Sequence, residues 1–134
     1  MANIRHLIEK NITGSDILQL AGKLGAKYEQ EVYVVGGYVR DLFLERDIKE
    51  IDFMVVGNGI KFARSLADEL KVANIVPFQR FSTARIPYKK IPLEVASART
   101  ESYDDSSRKP NKIQYTDLKG DLLRRDFTIN AMAI

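Results

Sequence analysis

Apolar positions along the chain recur first at helical and then at strand spacing. Ile4, Leu7 and Ile8 mark a short helix that Asn3 can cap. Ile17, Leu20, Ala21 and Leu24 mark a second, with Ser15 as its cap and Gly25 as its stop. The β-rich run Val32–Val35 halts at Gly36-Gly37, and a short amphipathic helix follows with Val39, Leu42 and Phe43 inward. Residues 51–56 read as the next strand, ended by Gly57-Asn58-Gly59. Residues 60–70 carry Ile60, Ala63, Ala67 and Leu70 on one helical face. Beyond them, 81–86 and 91–96 form two strands around Pro87-Tyr88-Lys89-Lys90, a hairpin connection. Residues 99–115, with Ser102, Asp104, Asp105, Ser106, Ser107, Pro110 and Asn111, predict a loop. Thr116 is placed to cap a last short helix carrying Leu118, Leu122 and Leu123.

Composition narrows the chemistry. A chain of 134 residues fits one domain able to bury roughly two thirds of its unfolded surface. It has no cysteine, which excludes disulfides, thiolate catalysis and Cys-based zinc or iron–sulfur sites. Its one histidine, His6, excludes a multi-His metal centre. Carboxylates, Arg and Lys, hydroxyls and backbone amides remain. No apolar run approaches the roughly 20 residues of a membrane span, and the start lacks the apolar region of a secretory signal. A cytoplasmic protein is therefore expected. The net charge of +3 permits a polyanionic partner without demanding one. The chain closes on an apolar segment without a polar tail, which suggests a piece of something longer.

Four groups of residues could carry chemistry. Gly36-Gly37 leads from a strand into a helix, a turn that can offer backbone N–H groups to a phosphate, and Arg40 lies one turn on. Glu50 and Asp52 stand two apart on a strand, so both project to one face while Ile51 and Phe53 project to the other. Two adjacent carboxylates repel unless a cation lies between them, and hard oxygen ligands suit Mg²⁺. Glu94, a lone acid in an apolar strand, can join them if its strand lies alongside. Arg124-Arg125-Asp126 with Asn130 could place guanidinium groups at a triphosphate, although two arginines at a helix end also complement its dipole. Arg99, Arg108, Lys109 and Lys112, with Tyr103 among them, form a looser basic set of the kind an RNA-contacting loop uses.

Taken in order, these residues resemble a known family. Gly36-Gly37-Tyr38-Val39-Arg40-Asp41, then Glu50-Ile51-Asp52, then Arg124 to Ala133 resemble the catalytic head of class II tRNA nucleotidyltransferases. These are the CCA-adding enzymes, and bacterial poly(A) polymerases share the head. The resemblance runs from about Val32 to the last residue. It implies an α/β (α+β) polymerase-β-like fold, a small mixed sheet with helices packed on it, spanning 1–134 with the first 28 residues as packed helices. It also implies that neck, body and tail domains lie beyond this chain. The implied reaction is Mg²⁺-dependent transfer of CMP or AMP from CTP or ATP to the 3′-hydroxyl of tRNA, with release of pyrophosphate. By position, Glu50, Asp52 and Glu94 would be the catalytic metal ligands, holding two Mg²⁺ ions. Gly36, Gly37, Arg40 and Arg125 match triphosphate contacts, and Asp126 and Asn130 match the motif that contacts the sugar. Asp41 matches a structural position that pairs with a nearby base. Glu50 departs from the Asp usual at the first metal position. Phe81-Ser82-Thr83-Ala84-Arg85 looks more like the CCA-type segment than the basic-Phe signature of poly(A) polymerases. The alternatives are poly(A) addition, addition of only C or only A, or a nucleotide- or RNA-binding module without catalysis.

Overall fold

The structure, a computed structural model, describes residues 5–10, 12–103, 110–125 and 131–134. Two helices, α1 (Arg5–Lys10) and α2 (Ile12–Lys27), precede β1 (Val32–Val35), α3 (Gly37–Phe43) and β2 (Ile51–Val55). Then come α4 (Gly59–Glu69), β3 (Val76–Phe78), a single 3₁₀ turn (Gln79–Phe81), β4 (Thr83–Ile86) and β5 (Leu93–Ser97). A separate ribbon of β6 (Arg99–Tyr103) and β7 (Pro110–Tyr115) leads into α5 (Leu118–Leu123).

The sheet has the order β1-β2-β5-β4-β3, with β2 and β5 parallel and the other pairs antiparallel. It is therefore mixed, as expected for an α/β domain. Because strand side chains alternate between faces, Ile51, Phe53 and Val55 point one way with Val34, Leu93, Val95, Ala84 and Ile86. That face packs against Ile17, Ala21 and Leu24 of α2, Val39 and Leu42 of α3, and Phe62 and Leu66 of α4. The opposite face carries Asp52 and Glu94 and is free of these helices. The larger apolar face fixes the sheet and thereby aims the acids, beside which Val35, Met54 and Ala98 form a smaller buried cluster. Among the described residues no helix is long and apolar enough to cross a membrane.

Several local expectations change. Ser15 and Gly25 lie inside α2, which runs on to Lys27. Gly25 acts by close approach instead: a Cβ there would meet the Gln30 carbonyl at 2.9 Å and a methyl of Val32 at 3.0 Å. Glu29, at φ 52°, makes the left-handed turn that a C-terminal glycine usually makes. On α3 the third inward side chain is Tyr38 and not Phe43, which is 47% exposed, because a helix starting at Gly37 turns 38, 39 and 42 to the sheet. Asp117 rather than Thr116 caps α5, accepting from the Gly120 N–H at 2.9 Å. Asn3 lies outside the described residues.

The expected loop at 99–115 is mostly the β6–β7 ribbon, with a register shift at Ser102/Tyr103; its centre, 104–109, lies outside the described residues. The ribbon pairs with itself, and its strands, RTESY and PNKIQY, are mostly polar, so they lack the apolar alternation by which a strand is read. Edge strand β3 has only three residues, all of them exposed, so no alternation marks it either. The closing apolar segment also has a place. Ile134 exchanges backbone hydrogen bonds with Val34 at 2.8 and 2.9 Å, and Ala133 bridges Val35, along the free edge of β1.

Candidate active site

The carboxylates come together through strand register. Asp52 stands opposite Glu94 on the parallel neighbour β5 and opposite Val35, the last residue of β1. Register partners on adjacent strands carry side chains about 5 Å apart, so Asp52 and Glu94 repel across the gap. Glu50, just before β2, is exposed at the rim. Burial pushes the Asp52 carboxyl up to about 7, and the charges of Glu50 and Glu94 push the same way against the opposing pull of Arg125 and Arg85. The three acids thus share one electrostatic neighbourhood. Among the described residues, however, no three such side chains lie close enough to hold a metal ion unaided. The donors are hard oxygens in mutual repulsion, which fits a divalent cation such as Mg²⁺ in chemistry; the arrangement does not by itself gather three ligands.

A carboxyl whose folded value exceeds its unfolded value of 3.8 binds its proton more tightly in the native state. Stability from this group is then present at acid pH and is lost as pH rises through the window from about 4 to about 7. Asp52→Asn is expected to raise stability at pH 8 by about 2 kcal/mol after allowance for solvent screening. The gain should shrink toward nothing near pH 4, as thermal melts at the two pH values without divalent cations would show.

Beside Asp52 lies the glycine turn. Gly36 has φ 66° and ψ −131°, a conformation that side chains resist, and its N–H donates to the Met132 carbonyl at 3.2 Å. A Cβ at Gly36 would stand 3.6 Å from Arg125 Nη1 and 3.8 Å from Asp52 Oδ2. The turn, the arginine and the carboxylate therefore surround one point. Because those contacts are ordinary, the demand for glycine comes from the backbone. Gly36→Ala should destabilise the fold by about 1–3 kcal/mol through that strain; an unchanged urea midpoint would contradict it. With its N–H committed, Gly36 does not offer the free donor that the glycine pair suggested, and α3 has only seven residues.

The arginines have defined partners. Arg40 donates from Nε and Nη2 to the two carboxylate oxygens of Asp41, at 2.9 and 3.3 Å. This pair holds the guanidinium firmly protonated, and Asp41 has the structural role expected of it. A Cβ on Gly37 would lie 3.4 Å from Arg40 Nη2, so Arg40 flanks the turn. Arg125 donates from Nε and Nη2 to Asp121 Oδ1, at 3.2 and 2.9 Å, and Arg124 donates to Asp121 Oδ2 at 3.4 Å.

Of the residues expected at the site, Gly36, Asp52, Glu94 and Arg125 converge, Gly37 and Arg40 flank them, and Glu50 stands at the rim. Asp126 and Asn130 lie outside the described residues, as do Arg108 and Lys109. Arg99 leaves the RNA-contacting set: its side chain donates to the Phe81 carbonyl and lies over the Phe81 ring at 5.6 Å, so it ties the ribbon to the sheet. Two further residues belong to the surroundings of the site. Arg85 stands opposite Glu94 on β4, which the hairpin alternation could have shown. Asp121 is fully buried, and its place three and four residues before Arg124 and Arg125 was the available signal.

A mixed sheet that offers two in-register carboxylates beside a glycine turn and an arginine is the architecture of a nucleotidyltransferase head. Residues 32–134 match the family described as Poly A polymerase head domain, and the chain belongs to that family. It is 48% identical over 102 residues to the A-adding tRNA nucleotidyltransferase of Aquifex aeolicus, covering 76% of this chain and 12% of that protein. It is 37% identical over 132 residues to the A-adding tRNA nucleotidyltransferase of Geobacter sulfurreducens, covering 96% of this chain and 15% of the other. The apo form II structure of a CCA-adding enzyme superposes with a TM-score of 0.83 at 35% identity, over 99% of this chain and 32% of that one. The chain thus spans between about an eighth and a third of the length of these relatives. A tRNA nucleotidyltransferase complexed with a primer tRNA and an incoming ATP analogue matches at TM-score 0.69 and 42% identity, over 85% of this chain and 30% of that one.

Proposed function

We propose that this chain is the catalytic head of a cytoplasmic tRNA nucleotidyltransferase that transfers CMP or AMP from CTP or ATP to the 3′-hydroxyl of tRNA, releasing pyrophosphate. The observation that carries the proposal is the convergence of Gly36, Asp52 and Arg125 on one point, with Glu94 in register beside it. Glu50, Asp52 and Glu94 would hold Mg²⁺, which when bound supplies charge stabilisation for the attacking and leaving oxygens. Arg125 presents Nη1 toward the turn, where it can take a phosphate oxygen of the triphosphate, and Arg40 adds a second cation nearby. The mouth of the turn leaves room for phosphates close to the backbone, since Gly36 has no side chain. Asp126 and Asn130 would orient the sugar. The opposite face of β2, packed by α2 and α4, keeps the strand rigid so that Asp52 and Glu94 hold their spacing.

A second reading has one observation in its favour. Three relatives, at 48, 37 and 35% identity, are A-adding enzymes, whereas CCA-adding relatives stand at 33 to 35%. Addition of A alone to tRNA is accordingly the narrower form of the proposal. The test is calorimetric titration of the full-length protein with ATP and with CTP, with and without Mg²⁺, followed by incorporation of each nucleotide into tRNA lacking its 3′ end. Mg²⁺-dependent ATP binding, weakened at least about tenfold by Arg125→Ala, is the expected result. Unchanged affinity in that variant would remove Arg125 from the site, and incorporation of ATP without CTP would select the narrower reading.

A further inference from the structure

Asp121 is fully buried, yet it carries a charge-bearing side chain on a six-residue helix whose neighbours are apolar or exposed. Four donors reach its two oxygens. Arg125 Nε and Nη2 share Oδ1 at 3.2 and 2.9 Å, while Arg124 Nη2 and the backbone N–H of Arg99 share Oδ2 at 3.4 and 3.0 Å. A buried carboxylate so enclosed costs desolvation, and two arginines more than neutralise it. Of the two, Arg125 is the one that carries its positive charge to the glycine turn.

The way Arg125 is gripped decides where that charge points. A guanidinium is a planar fork with three nitrogens. Two of the three, Nε and Nη2, are turned onto Asp121 Oδ1. The third, Nη1, is the Arg125 atom that faces Gly36, in the same neighbourhood as Asp52 Oδ2. Locking two corners of a rigid plane fixes the direction of the third. We infer that Asp121 is a positioning residue of the nucleotide site: it holds Arg125 so that Nη1 is aimed at the phosphate-binding turn before nucleotide arrives. Without this grip the arginine, on a flexible three-carbon stem, is drawn instead toward the Asp52 carboxylate that already feels its charge, and must be ordered at each binding event. The Arg99 N–H ties the same carboxylate to the first residue of the ribbon, so the clamp is anchored on the ribbon as well as on α5.

This inference rests on the reading of Arg125 as a triphosphate ligand, and the experiment separates the two. Steady-state nucleotide incorporation into tRNA is measured for the full-length protein and for Asp121→Asn, Arg125→Ala and the double variant. Asn keeps the shape of Asp but removes its charge and offers one acceptor in place of two. Asp121→Asn is expected to raise the ATP KM about tenfold, with a smaller change in kcat and none in the tRNA KM. In the Arg125→Ala background the same substitution should change the ATP KM by less than about twofold, because there is nothing left to aim. A full tenfold loss in that background, or a loss confined to kcat or to the tRNA KM, overturns the inference while leaving Arg125 in place. An unchanged ATP KM in Arg125→Ala itself overturns both. If Asp121→Asn does not fold, Arg125→Lys carries the test: it keeps the charge but has no fork, so it should raise the ATP KM nearly as far as Arg125→Ala. A lysine variant with the parent's ATP KM would show that aim is not needed and would overturn the inference.

Discussion

Asp52→Ala in the full-length protein is expected to lower nucleotide incorporation by at least about a thousandfold without lowering the melting temperature. The expectation comes from the strand. Asp52 is the one polar side chain among the five residues of β2, in a strand whose other members are buried. It faces Glu94 in register, and burial, with repulsion from Glu50 and Glu94 added to it, raises its proton affinity. Nothing in the packing of the helical face needs such a group, and the fold gives up stability to keep it. Its presence is therefore explained by chemistry on the face that carries the acids. Glu94→Ala should act in the same direction, since the pair, and not either acid, makes the concentration of negative charge. Near-normal turnover in either variant, measured under single-turnover conditions so that product release does not mask the step, would falsify the proposed role of the acid pair.

The next residue along gives the opposite result. Phe53 is 2% exposed, on a strand flanked by β1 and β5, and packs into the core beneath the helices. Phe53→Ala leaves a cavity that neighbouring strands cannot close, and is expected to cost about 3–5 kcal/mol. That is a large share of the roughly 5–15 kcal/mol that a domain has in total. The urea midpoint should fall steeply while the remaining folded fraction still binds ATP. A shift below about 1 kcal/mol would mean that the core under β2 is more plastic than its close packing indicates. The contrast between positions 52 and 53, one altering turnover and the other stability, tests the two-faced sheet directly.

That division was visible in the residues themselves. Alternation along 51–55 separates Asp52 from Ile51 and Phe53 before any fold is known, and the same rule places Glu94 opposite Leu93 and Val95. The helices with a long apolar stripe, α2 and α4, were also legible, as was the pair of glycines at the end of β1. Less legible were boundaries and short or polar pieces. Gly25 reads as a helix stop but serves close packing, and the β6–β7 ribbon reads as loop because its residues are mostly polar. Asp117 displaced Thr116 as the cap because either residue type can serve there, and only the backbone geometry chooses.

By itself, then, the sequence determined which residue types could do chemistry here, which strand face would carry Asp52 and Glu94, and which family the motifs resemble. These follow from local periodicity and composition, which are properties of neighbours along the chain. Tertiary structure alone decided that β2 and β5 lie parallel with Asp52 against Glu94, and that Arg125, almost ninety residues on from Gly36, returns to its turn. It also decided that a buried carboxylate at Asp121 grips that arginine and the start of the ribbon together. The reason is physical: strand order and the pairing of a buried charge are fixed by burial of the whole apolar face and by the hydrogen bonds that an enclosed carboxylate requires. Those conditions involve residues far apart in sequence, and no local pattern records them.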